Sequence, residues 1–112
     1  MNPEGKTALV TGGAHRVGKA ISLALGQAGA NLVVNYNTSA AAAEQTCSEL
    51  QQLGADVISI QADLADHKQV EAMVASACEK FGTIDILVNN ASFFETTPIP
   101  VEDYTAWHHV MD

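Results

Sequence analysis

Ala8-Leu9-Val10-Thr11-Gly12-Gly13-Ala14-His15-Arg16-Val17-Gly18-Lys19-Ala20 decides how this chain is read. An apolar run breaks into a glycine-rich turn, and the turn opens directly into a segment with helical apolar spacing. Such a junction offers backbone N–H groups to a phosphate, because no side chain blocks the approach and a helix N-terminus adds partial positive charge. Three glycines in a turn are weak evidence alone. Here they stand at the first strand-to-helix junction of a βαβ pattern, where the pyrophosphate of a dinucleotide belongs.

Strand and helix signals alternate outward from that point. Thr7–Thr11 reads as a strand buried on both faces. Val17, Ala20, Ile21, Ala24, Leu25 and Ala28 repeat as one helical stripe, which Gly29 is placed to end. Leu32–Tyr36 is a second strand. Ser39 is positioned to cap an alanine-rich helix running to about Leu53, with Gly54 as its stop. Val57–Gln61 is a third strand. Asp66 caps a third helix, whose Val70, Met73, Val74, Ala77, Cys78 and Phe81 repeat the spacing of the first before Gly82. Ile84–Asn89 is a fourth strand, Ser92–Pro100 a loop, and Val101–Asp112 the start of a fourth helix. Strands separated by helices of this length imply a parallel sheet. The expected fold is a doubly wound α/β domain of Rossmann type, cut off after strand four and the start of the next helix. Residues 1–112 form one N-terminal dinucleotide-binding part of it.

Charge is distributed unevenly. Residues 1–43 hold Lys6, Arg16 and Lys19 against Glu4 alone, while the other acids face only Lys68 and Lys80. The net charge of −8 argues against nucleic acid or an anionic membrane as a partner. The local basic island at the glycine turn still suits a small phosphorylated ligand. Cys47 and Cys78 lack any Cys-x-x-Cys spacing, so they read as reduced core thiols. The N-terminal Met1-Asn2-Pro3-Glu4-Gly5-Lys6 has no apolar core of a signal peptide, and no run reaches the ~20 apolar residues of a membrane span. The expected location is cytoplasmic.

Three motifs occur in order: Thr11-Gly12-x-x-x-Arg16-x-Gly18, Asp63-Leu64, and Leu87-Val88-Asn89-Asn90-Ala91-Ser92. Together they resemble the successive signatures of the short-chain dehydrogenase/reductase family. The family's usual turn is Thr-Gly-x-x-x-Gly-x-Gly, and Arg16 stands at the middle glycine. That replacement is similar to the pteridine reductase branch, as are Tyr36-Asn37-Thr38-Ser39 after strand two and Asn-Asn-Ala-Ser-x-Phe after strand four.

Cofactor choice is argued from an absence. Folds of this type that bind NAD place an acid near the end of strand two to hold the ribose 2′-OH. No acid occurs from Gly5 to Ala43. Tyr36, Asn37, Thr38 and Ser39 offer neutral groups there, and Arg16 brings a permanent cation with a donor fork. NADP(H) is therefore the expected cofactor, although pteridine reductases carry a basic residue where Thr38 stands. Gly12 makes the turn and Gly18 lets the helix approach the sheet, with His15 and Val17 beside them. The resemblance implies that Asp63 bonds the adenine amino group and that Leu64 adds apolar contact; a helix-entry role for Asp63 stays open. Asn90, Ala91 and Ser92 line the cofactor by the same resemblance, while Asn89 ties loops together. Phe94 matches an aromatic that stacks a flat substrate ring, and a packing role for it stays open. His108 and Asp112 form one i, i+4 pair without a third ligand, which does not make a metal site.

The resemblance also implies what these residues lack. Family chemistry depends on a Ser, a Tyr and a Lys in Tyr-x-x-x-Lys spacing, the tyrosine serving as general acid/base. Tyr36 is followed four residues later by Ala40, and Tyr104 by His108, so no catalytic residue is assigned. The expected function is the NADP(H)-binding portion of an oxidoreductase. Its full-length form would transfer hydride to a carbonyl or C=N group of a small molecule, with a pterin as candidate, and would be a homo-oligomer. The alternatives are a non-catalytic nucleotide-binding module and a truncated product without activity. The residues alone are expected to be inactive and marginally stable, with strand four left as an apolar edge.

Overall fold

The computed structural model describes residues 2–14 and 16–90. Four strands and three helices alternate: β1 (Thr7–Thr11), α1 (Arg16–Gln27), β2 (Asn31–Tyr36), α2 (Ala40–Gln52), β3 (Val57–Gln61), α3 (His67–Phe81) and β4 (Ile86–Asn89). The strands form one parallel sheet in the order β3-β2-β1-β4. The order reverses between β1 and β4, and in open α/β sheets the crevice at such a switch point is where ligands bind. Thr11 stands opposite Asn89 in that register, which brings the glycine turn next to the end of β4. The expected loop at 92–100 and helix at 101–112 lie outside the described residues.

Every residue of β1 is buried, as a central parallel strand requires. The two-residue period of the strands sorts the core onto two faces. Leu9, Val33 and Leu87 pack with Val70, Met73 and Ala77 of α3. Ala8, Val10, Leu32 and Val34 pack on the opposite face with Ala43 and Leu50 of α2, with Ile21 and Leu25 of α1 partly buried against them.

Three local departures stand out. The ladder of β4 begins at Ile86, two residues after the expected start. Ile84 turns into the core under α3, and Asp85 grips Thr7 at both ends: its N–H donates to the Thr7 carbonyl (2.9 Å) and its Oδ2 accepts the Thr7 N–H (3.0 Å). Ser39 occupies the N-cap position of α2, but its hydroxyl makes no cap bond. Asp66 does cap α3, accepting the Lys68 N–H at 3.0 Å.

The third departure concerns α1. Its buried residues are Gly18, Ser22 and Gly26, a stripe of small residues at i, i+4 and i+8. The expected apolar stripe flanks this line, and Val17 is 64% exposed. Along this line Gly18 lies against the Gly12 carbonyl and Gly26 against Leu50 of α2, so small residues are required there and the larger ones fill the margins. In α3, which stands on the other face, Val70, Met73 and Ala77 are buried as their spacing predicts.

Candidate functional site

The turn after β1 is held by four different elements. Gly12 has a φ of 62°, the left-handed conformation that glycine adopts without cost. Its N–H donates to Asn35 Oδ1 (3.2 Å), and the Gly13 N–H donates to the Asn35 carbonyl (3.0 Å). The Gly12 carbonyl accepts from Asn90 Nδ2 at 3.2 Å. Ser22 Oγ donates within α1 to Gly18 O (2.9 Å) and more weakly to Gly13 O (3.4 Å). Thr46 Oγ1 of α2 donates to the Ala14 carbonyl at 2.6 Å.

This network corrects one expectation. The first two N–H groups of the turn do not face a ligand, because Asn35 holds both. What remains for an anion is the start of α1, whose first-turn N–H groups have no intrahelical partner and which carries no acid there. Arg16 and Val17 are exposed at this point. Arg16 has a φ of 57°, so it keeps the left-handed backbone suited to the glycine it replaces. Lys19 is not available in the same way: its Nζ pairs with Glu49 Oε2 of α2 at 2.6 Å.

Gly18 is fixed by close approach. A Cβ there would overlap the Gly12 carbonyl and lie 2.6 Å from Asn90 Nδ2. Thr11, fully buried, closes the other side: its Oγ1 donates to Val88 O (3.2 Å) and accepts the Asn90 N–H (2.9 Å). The structure thus gives Asn90 the tying role expected of Asn89, which is exposed.

The ends of β2 and β3 form the second half of the site. Asn37 and Thr38 are exposed, and Tyr36 and Ser39 are half-buried. Gln61 Nε2 donates to both the backbone oxygen and Oδ1 of Asn37, at 3.2 Å each. Asp63 serves its own turn: Oδ1 accepts the Ala65 N–H (3.0 Å), and its N–H donates to Gln69 Oε1 (2.8 Å). Leu64 is a core residue, 6% exposed and packed with Val70 and Met73. His15, Ala91, Ser92 and Phe94 lie outside the described residues. Among the described residues no group of three metal-ligating side chains occurs.

Three residues that hold the turn carry no motif signal: Asn35, Ser22 and Thr46. Each is a small polar residue, and burial of all three shows why it is there. A buried polar side chain needs a partner, and here the partners are the turn's own backbone groups.

Comparison with known proteins extends this geometry. Residues 6–112 match the family model described as short chain dehydrogenase. The chain belongs to the short-chain dehydrogenase family. It is 43% identical over 106 residues to the short-chain dehydrogenase/reductase homolog YusS of Bacillus subtilis, covering 95% of each chain. It is 37% identical over 109 residues to glucose 1-dehydrogenase 2 of the same organism, of which it spans 42%. Among solved structures, a short chain dehydrogenase from Burkholderia cenocepacia in complex with NADP superposes with a TM-score of 0.79 at 38% identity. That match covers 98% of this chain and 46% of the other. Against these dehydrogenases of greater length, the chain corresponds to rather less than half. No helix among the described residues is long and apolar enough to cross a membrane.

Proposed function

We propose that this chain is the NADP(H)-binding portion of a short-chain dehydrogenase/reductase whose full-length form transfers hydride to a carbonyl or C=N substrate. The observation that carries the reading is Arg16, held in a left-handed conformation at the switch point of the sheet, with no acid anywhere from residue 5 to 43. A dinucleotide fits what the residues offer. The pinned turn and the start of α1 receive the pyrophosphate, Val17 gives exposed apolar surface, and Arg16 with Asn37 and Thr38 receives the ribose 2′-phosphate. Asp63 retains a second carboxylate oxygen for the adenine. The Burkholderia relative, whose structure contains NADP, supports the same choice.

When bound, NADPH supplies the hydride. The part of the protein described above binds and orients: Asn35, Ser22, Thr46 and Asn90 hold the turn rigid, so little ordering entropy is lost on binding. No proton donor of Tyr-x-x-x-Lys type occurs in these 112 residues. A non-catalytic nucleotide-binding module is therefore the second reading, and a hydride-transfer assay separates the two.

Fluorescence titration with NADPH and NADH tests the cofactor assignment. NADPH binds more tightly by roughly ten- to a hundredfold, the worth of a charge-assisted contact of about 1.5–3 kcal/mol. Equal affinities overturn it. The pterin reading rests on Phe94 and on the motif likeness to pteridine reductases. In a chain extended through the catalytic segment, Phe94→Ala raises KM for a pterin far more than for a small aliphatic carbonyl. Equal losses assign Phe94 to packing.

A further inference from the structure

We infer that Gln61, at the end of β3, is a positioning residue for cofactor selectivity and acts through Asn37. The inference rests on the NADP(H) reading above. A backbone carbonyl can only accept a hydrogen bond, so the Gln61 atom 3.2 Å from the Asn37 backbone oxygen is its amide nitrogen. The same nitrogen lies 3.2 Å from the Asn37 side chain, which must present its oxygen to it. The orientation of both amides is thereby fixed by one acceptor that cannot be reversed. Asn37 Nδ2 is the branch left over, and among the described residues nothing accepts from it.

The consequence is a choice of polarity at the end of β2. A ribose 2′-hydroxyl can both give and take a hydrogen bond, so either end of an amide satisfies it. An ionised 2′-phosphate only accepts. By taking the Asn37 oxygen, Gln61 leaves the exposed end of that side chain as a donor. The only nearby acid on the same segment, Asp63, directs Oδ1 to the Ala65 N–H. Gln61 thus turns a neutral side chain into one that favours the phosphorylated cofactor, and does so from a neighbouring strand. Asn37 and Gln61 are both exposed, so neither is needed for the core.

The test uses the 112-residue chain and equilibrium binding, with NADPH, NADH, and adenosine 5′-monophosphate with and without a 2′-phosphate as probes. Gln61→Met keeps the side-chain length and removes the donor. It raises Kd for NADPH and for the 2′-phosphorylated nucleotide roughly three- to tenfold, the range of one neutral hydrogen bond, and leaves NADH and the unphosphorylated nucleotide unchanged. In an Asn37→Ala background the same substitution has no further effect, which a general structural role would not reproduce. If the unmodified chain prefers NADPH but Gln61→Met leaves the ratio unchanged, the inference falls and the functional reading stands. If it shows no preference, both fall.

Discussion

Asn35 holds Gly12 through its side chain and Gly13 through its backbone, so one buried residue of β2 fixes the first two N–H groups of the turn after β1. The same side chain donates to the carbonyls of Ile60 (3.4 Å) and Ala62 (3.3 Å) at the end of β3. At 2% exposure Asn35 has no water to replace these partners. Asn35→Leu leaves a buried N–H and two carbonyls short of a bond, and unsatisfied groups of this kind cost about 1–3 kcal/mol each. Urea unfolding shows a loss of roughly 3 kcal/mol by the same reasoning. NADPH and NADH affinities fall together, because Asn35 shapes the turn and does not meet the 2′ position.

Arg16 gives the opposite separation. Its left-handed backbone costs an L-residue about 1 kcal/mol, which glycine does not incur. Arg16→Gly therefore raises the thermal midpoint while narrowing the NADPH-to-NADH affinity ratio toward one. Arg16→Ala narrows the ratio without the gain in stability. A substitution that stabilises the fold and weakens selectivity identifies a residue kept for its side chain.

Gly18→Ala places a methyl group against the Gly12 carbonyl and Asn90 Nδ2. Backbone cannot yield there without separating α1 from the sheet, so the variant loses about 3 kcal/mol in chemical denaturation. Cofactor titration shows no saturable binding.

The cap of α3 contributes to the pH dependence of stability. Hydrogen bonds from the Gln69 side chain and then from the Lys68 backbone N–H hold the Asp66 carboxyl below its ordinary value of 3.8. The folded value lies below the unfolded one, so the stabilisation is complete above the unfolded value. It is lost as pH falls through the folded value. Thermal midpoints of the native chain drop in that window, and those of Asp66→Asn drop less over the same interval.

The sheet and its helices were legible because their signals are local. Apolar runs, Asp66, and the glycines after each helix mark β1, β3 and α3 without reference to anything distant. The face of α1 was legible only at Gly18, since Ser22 and Gly26 carry no hydrophobic signal and their burial depends on contacts with the turn after β1 and with Leu50 of α2. The same holds for the site. Gly12, Arg16 and Gly18 stand in a recognisable spacing. Asn35, Thr46 and Gln61 act across distances of 20 residues or more in sequence, through bonds to backbone oxygens or amides that no spacing encodes. The burial of Leu64 was not legible for a related reason: its motif position says nothing about which way the side chain turns.

Asn90 joins two jobs in one residue. Its N–H is held by Thr11 and its side chain by Gly12, and the covalent chain continues from it to Ala91, Ser92 and Phe94. The first residue beyond the sheet is therefore yoked to the turn after β1. A displacement of the turn strains both of these bonds at once. Reciprocity then requires that whatever fixes the strand's exit also tightens the turn. Asn90 thus makes the turn after β1 and the end of β4 move as one unit.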